Sequence, residues 1–499
     1  MRRVPLARCI GYLRDAILFW ILLPPTAEPD TWHVTYDPDQ PENRVGVIAA
    51  QAASGDVIEI DPGVYFEHIP LEGKSLRFVG LGGAGTTILD GSRALPEREG
   101  SIVYAETGDT GDLTLEGLTL RNGTGVRVAW LQDQYAGGAV YWAGVQDAQT
   151  GSLTAVDCNF ENNTTGYPEN LWAVGGGAIL AMHLGAVRIE RCAFSNNVTN
   201  TRGGDLLLGT SGSALVNDCE FVMGAGGFSG GVSVEKSGWG TLAIRHSVFR
   251  SETGGDGGST GLLLEADAID LQDNLFIDSG DVLATRVVID CWSCLGARPA
   301  DIRVSGNVFW SAVAPDSAAS ATLLVWWPGA SVAVRENTLV RCGVEVSDSE
   351  GGGTPLVFEN NIVVHGTVFF SAPQGGDYSC NDFWRSRVLG GDNLTYSNNM
   401  TANPLFCDET NGDFTLSEGS PCAPPGNAEC GLIGAEPVAC DLGVYACCVG
   451  QGCQLVTEAE CGNLGGRWMI DPPFTACDPN PCVVPVVETT WGGIKAMFR

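Results

Sequence analysis

The chain is short of positive charge and of the residues that proton-abstracting enzymes use. Its 499 residues hold 27 Lys+Arg against 59 Asp+Glu, a formal net charge of −32, and the only lysines are Lys74, Lys236 and Lys495. An excess of that sign excludes a nucleic-acid binder working by general attraction to phosphates. The histidines are His33, His68, His183, His246 and His365, and no Asp-Asp pair occurs. No long apolar run follows the N-terminal one, so the mature chain is expected to have no membrane span. What the chain does have is 44% hydrophobic residues, 67 Gly and 18 Cys. That is the composition of a folded protein with a core rather than of a disordered one.

Cysteine points to a compartment. Eleven of the 18 lie between Cys380 and Cys482, as dense as a disulfide scaffold. The N-terminus agrees: Arg2, Arg3 and Arg8 precede an apolar run from Ala16 to Leu23, then Pro24, Pro25, Thr26 and Ala27. This is the order of a secretory signal peptide over residues 1–27, with a membrane-retained anchor or a misplaced start as alternatives.

A ten-residue phrase recurs through the middle of the chain, with inward-type residues at four fixed offsets. It reads Leu113, Leu115, Leu118, Leu120, then Leu153, Ala155, Cys158, Phe160, then Val187, Ile189, Cys192, Phe194. Further copies end at Phe221, Phe249, Phe276, Phe309 and Leu339, and one around Val357, Asn360 and Ile362 has an ambiguous register. Within each phrase inward and outward residues alternate, except for a two-residue gap between the second and third offsets. That pattern is a strand, a bend and a second short strand. The closing residues are separated by between 23 and 40 positions. Such spacing is too variable for helical hairpins and suits a coil of strands whose extra residues bulge out at corners. Glycine pairs at Gly137, Gly176, Gly203 and Gly230 introduce a further strand in several coils. The closing Phe residues are expected to stack, and the offset before them changes from Cys158, Cys192 and Cys219 through Ser247 to Asn274, Asn307 and Asn337. This predicts buried free thiols that give way to an asparagine ladder.

On these residues the chain resembles the right-handed parallel β-helix proteins of the pectin-lyase-like class. Gly55-Asp56-Val57-Ile58-Glu59-Ile60-Asp61-Pro62-Gly63-Val64-Tyr65 is similar to the phrase that opens many of them, and Leu76–Gly80 and Thr86–Gly91 resemble the next coil. The resemblance covers roughly Asp56 to Cys440 and implies an all-β solenoid of about ten coils over residues 28–440. Residues 43–53 read as a helical N-terminal cap with Val45, Ile48, Ala49 and Ala52 on one face. The phrases around Asn403–Cys407, Gly412–Leu416 and Gly419–Cys422 resemble those that finish secreted bacterial β-helices.

Local disulfides among Cys380, Cys407, Cys422, Cys430 and Cys440 are expected to pin that closing segment. Residues 441–484 form a separate module with Cys447, Cys448, Cys453, Cys461, Cys477 and Cys482, whose six cysteines permit 15 pairings. Zinc is the competing reading, and the absence of His from the module weighs against it. Cys291 and Cys294 read as a loop disulfide. The tail, residues 485–499, ends in TTWGGIKAMFR and resembles a bacterial sorting signal, with an unstructured terminus as the alternative.

The motifs of the class's enzymes are missing: no hydrolase carboxylate pair, no lyase phrase, no esterase motif beyond the scaffold. The weak catalytic candidates are His183 and His246 beside Arg188 and Arg245, a base next to a group that could hold a uronate carboxylate. The weak ligand-binding candidates are Tyr135, Tyr141, Trp142, Trp172 and Trp239, whose rings could stack on sugars. No metal ligands or cofactor are assigned; calcium is weighed at Gly-Asp pairs such as Gly111-Asp112 and Gly204-Asp205. The expectation is a secreted or cell-surface bacterial scaffold with a surface glycan as leading ligand. The alternatives are a lyase or hydrolase of acidic polysaccharide and an adhesin or cell-envelope component.

Overall fold

The structure, a computed structural model, describes residues 28–468 except 94–99, 106–109, 129–133, 146–149, 166–172, 210–211, 223–228, 235–239, 252–259, 279–286, 290–300, 312–320, 327–330, 348–354, 372–374, 392–393, 441–444, 451 and 457. The signal peptide, Cys291, Cys294, Cys477, Cys482 and the sorting tail lie outside the described residues.

The chain winds into a parallel β-helix with three long sheets. Sheet 1 has 14 strands from Thr31–Val34 to Thr395–Ser397, sheet 2 has 11 from Gly63–Phe66 to Ile362–Val364, and sheet 3 has 12 from Ile69–Pro70 to Arg387–Gly390. Each coil of the middle of the rod contributes one strand to each sheet in turn, and neighbouring coils pair in parallel, as Leu153 with Val187 and Phe160 with Phe194. At about 4.8 Å per strand the rod is on the order of 60 Å long. It is longer than the ten coils expected because the last coils drop the Phe that marks the phrase.

The phrase offsets are the core. Phe160, Phe194, Phe221, Phe249, Phe276 and Phe309 stack with centroids 4.7 to 5.0 Å apart and planes within 10° of parallel. The two-residue gap is a left-handed corner between sheets 1 and 2, at Asp157, Arg191, Asp218, His246, Asp273 and Asn360 among others. Beyond it Cys158, Cys192 and Cys219 are buried free thiols. The asparagines form the expected ladder and carry it further: Asn307 Nδ2 donates to Asn337 Oδ1 at 3.0 Å and to Leu271 O at 2.9 Å, and the series runs on through Asn361 and Asn381 to Asn399. The ambiguous copy is resolved by this ladder: Phe358, Asn361 and Val363 point inward, while Asn360 takes the corner. At the next corner Gly137, Gly176 and Gly203 all have positive φ, and a Cβ on Gly138 would run into the carbonyl oxygen of Gly177.

The N-terminal end is closed by helix α1 (Arg44–Gln51), which buries Val45 and Ala49. Buried Glu67 accepts the Val45 and Gly46 amides at 2.8 and 3.0 Å, satisfying two donors that a helix start leaves open. Asp56 of the opening phrase accepts the Trp32 indole at 2.8 Å and the Asp30 and Ala53 amides at 2.9 and 2.8 Å, tying the first strand to the cap. Lys74 donates to the carbonyls of Ala49 and Ala50 at the helix end.

The closing segment folds back along the outer face of sheet 2 instead of sitting over the end of the stack. Phe406, Phe414, Leu416 and Ile433 pack on the outward Val308, Val340, Ile362 and Val364. Disulfides Cys380–Cys430 and Cys407–Cys440 staple it. Cys422 is a correction to the expected disulfide set: it is a free, buried thiol. Its Sγ donates to Asp382 Oδ2 at 3.2 Å, while Cys380, Cys407, Cys430 and Cys440 pair with one another in the two staples. Burial pushes Asp382 up to about 7. In the C-terminal module Cys447 pairs with Cys461, and Cys448 and Cys453 are also disulfide-bonded.

Candidate functional site

The structure separates the catalytic candidates. Arg188 and Arg245 point outward from sheet 1, His246 sits at the corner between sheets 1 and 2, and His183 at the corner between sheets 3 and 1. Each cation on the sheet 1 side meets a carboxylate. Arg188 Nη2 is 2.7 Å from Glu190, Arg245 binds Asp270, and Arg191 makes a fork with Asp157 at 2.7 and 2.9 Å. The Arg191 guanidinium holds the Asp157 carboxyl below the usual carboxylate range. His246 lies between Asp273 at 3.5 Å and Asp218 at 4.0 Å. The arginines of this face are therefore paired with carboxylates, and none of the three stands beside a histidine as a free cation.

The aromatic candidates divide as well. Trp142 is wholly buried in the main core and Tyr141 is 3% exposed, so neither ring presents a face to a sugar. Both belong to Val140–Ala143, a strand inside sheet 3 whose inner side faces the core and whose outer side is covered. The cover is a small sheet in which Val126–Val128 pairs antiparallel with Gln134–Ala136 and the latter parallel with Ala173–Gly175. Tyr135 is half-buried on that cover, directly across from Arg127. Trp172 and Trp239 lie outside the described residues.

Between the cover and α1 the rod opens into a cleft of about 500 Å³. Its walls are Asn43, Gly46, Val47 and Ala50 from the cap, His68 and Pro70 from the first coil, and Gly100, Tyr104, Val126 and Arg127. That size suits a small ligand or the end of a chain. Buried Ser101 fixes the geometry: its Oγ accepts the Val126 amide at 3.1 Å, and its carbonyl lies 3.0 Å from His68 Nδ1. A carbonyl only accepts, so in the neutral ring Nδ1 carries the proton and Nε2 is the acceptor. Among the described residues the lining holds an arginine, a histidine, a tyrosine and an asparagine but no Asp or Glu. Glu67 lies beneath, its oxygens turned into the helix amides.

The sequence named none of these as ligand residues, apart from counting His68. Nothing in their spacing marks them, since Tyr104 and Arg127 come from separate coils joined only by stacking. The nearest signal was Tyr135, whose strand Gln134–Ala136 belongs to the cover. For calcium, buried Asp205 is bonded to Asn197 at 2.9 Å and Asp112 to Ser152 at 2.7 Å. Among the described residues no three His, Cys, Asp or Glu side chains gather as a metal site.

No family model and no curated protein matches the chain. Among solved structures it is similar to a mannuronic acid specific polysaccharide family 6 lyase from human gut microbiota, at 12% identity and TM-score 0.28, covering 75% of this chain and 79% of that one.

Proposed function

We propose that this is an exported β-helix scaffold that binds a surface glycan, with the cleft beside α1 as its sugar site. The observation that carries this reading is the lining of the cleft. On a chain of net charge −32, a concave site without a carboxylate among its described residues is a local exception. It offers Arg127 and Asn43 as hydrogen-bonding groups and Tyr104, Val47 and Pro70 as apolar surface, the mixture that a pyranose presents in return. The disulfides support an oxidising destination.

Calorimetric titration with a panel of neutral and acidic oligosaccharides tests it. Arg127 is exposed, so Arg127→Ala leaves the fold intact and is expected to weaken the best ligand about tenfold, the worth of one charge-assisted hydrogen bond. An unchanged affinity would overturn the assignment of the cleft. Release of unsaturated or reducing ends from a polysaccharide would replace binding by the enzymatic alternative.

A further inference from the structure

At the other end of the rod, the corner between sheets 2 and 3 changes character. In early coils it is held by Asn122, Asn162 and Asn196, all in the left-handed region that asparagine tolerates. In the last coils the same corner is taken by Arg341, His365 and Arg385, with φ of 58°, 53° and 53°. The three are stacked: the Arg341 amide donates to Val364 O at 2.8 Å and the His365 amide to Trp384 O at 3.1 Å. The corner therefore carries Arg341, His365 and Arg385 in successive coils about 4.8 Å apart, which sets its two arginines about 10 Å apart along the rod. Arg387, exposed and two residues beyond Arg385, widens the patch onto sheet 3.

Charge pairing singles this corner out. Arg77, Arg188, Arg191, Arg245, Arg303 and Arg335, on sheet 1 and its corner, each meet an Asp or Glu. Among the described residues, Arg385 and Arg387 meet none. Arg385 instead lies over the Trp384 ring, 5.1 Å from its centroid. The closing segment brings one acid here, Glu409, whose Oε1 is 3.5 Å from Arg341 Nη2. Its neighbour Asp408 is engaged by the Asn411 side chain at 2.6 Å. Burial, with the two flanking arginines, lowers the His365 pKa against the opposing pull of Glu409.

We propose that Arg341, His365, Arg385 and Arg387 form a second site, which binds the acidic groups of a carboxylated or sulfated glycan chain lying along the rod axis. A single small anion needs one arginine fork, whereas Arg341 and Arg385 two coils apart, with His365 between them as a hydrogen-bonding group, match a ligand whose charges also repeat. Glu409 shows that a carboxylate is accepted at the Arg341 end. The inference rests on the glycan-binding reading and names the ligand class, but it uses a different part of the surface.

The test compares the full chain with Arg385→Gln/Arg387→Gln, using a uronate oligosaccharide, a sulfated dextran oligosaccharide and unmodified dextran at low salt. The wild type is expected to bind one or both acidic probes in a salt-sensitive way, the two arms distinguishing carboxylate from sulfate. The double variant is expected to bind the acidic probe at least fivefold more weakly, with no change toward dextran. Acidic binding that survives in the double variant overturns the site, as does equal binding of dextran and both acidic probes by the wild type. Because the variant residues are exposed, an unchanged melting curve shows that any loss is not unfolding. Arg127→Ala run in parallel separates the two claims: loss there with none at the corner sinks this inference alone, and the reverse sinks the cleft alone.

Discussion

The N-terminal cap and the seam of the closing segment rest on carboxylates with opposite protonation needs. At the N-terminal end Asp56 and Glu67 accept hydrogen bonds from an indole and from backbone amides, and the Trp32 indole bond leads in holding Asp56 below its ordinary range. At the C-terminal seam Asp382 has one thiol and backbone amides around it, and burial dominates, raising it to about 7. The same residue type thus acts as an ionised clamp at one end and as a near-neutral filler at the other. Each carboxylate accepts from three donors, so what decides is the balance: burial is the leading cause at Asp382 and the Trp32 indole bond at Asp56. The ends differ in covalency too: the cap holds by hydrogen bonds and packing, the closing segment by two disulfides.

The largest effect that sharpens this contrast is covalent. Cys380 and Cys430 are 50 residues apart, so Cys380→Ser/Cys430→Ser is expected to cost about 4 kcal/mol of closing-segment stability. Limited proteolysis should cut within 403–440 while residues 44–51 stay protected. Next, Glu67→Ala leaves two helix amides without an acceptor in a buried place and is expected to cost about 3 kcal/mol. Hydrogen exchange should then rise across α1 and not in the closing segment.

A more gradual effect lies in pH dependence and its sign. A carboxyl lowered on folding, as Asp56, stabilises above its unfolded value near 3.8, and that contribution is lost as pH falls through the folded value. A carboxyl raised on folding, as Asp382, does the reverse: its end is most stable below 3.8 and loses stability as pH climbs toward 7. Exchange protection of the closing segment is expected to fall between pH 4 and 7, and Asp382→Asn should flatten that slope without touching α1. Parallel slopes at both ends would break the comparison.

Much of the fold was written in the repeat, because stacking forces each offset to meet its own copy. Phe160 to Phe309 could be aligned by eye, and the Cys-to-Asn change along one column announced the ladder. The corner was also there to be read, since Asp, Asn and His recur at Asp157, Asp218, His246, Asp273 and Asn360, residue types that tolerate positive φ. The last coils were harder. Phe358, Phe370, Tyr378 and Phe383 replace the single stack by mixed edge and face contacts, so the phrase dissolves while the Asn column persists. The sites were the least legible part. Tyr141 and Trp142 look exposed until their strand is seen to lie inside sheet 3, with Trp142 in the core and Tyr141 under the cover, and Tyr104, Arg127 and His68 meet only through the order of coils.

Glycan binding in the cleft beside α1 is read out by hydrogen exchange of the intact protein with and without the best-binding oligosaccharide. Added protection is expected at residues 44–51, 100–104 and 126–128; a bound oligosaccharide that leaves all three segments unchanged would show that the cleft is not its site.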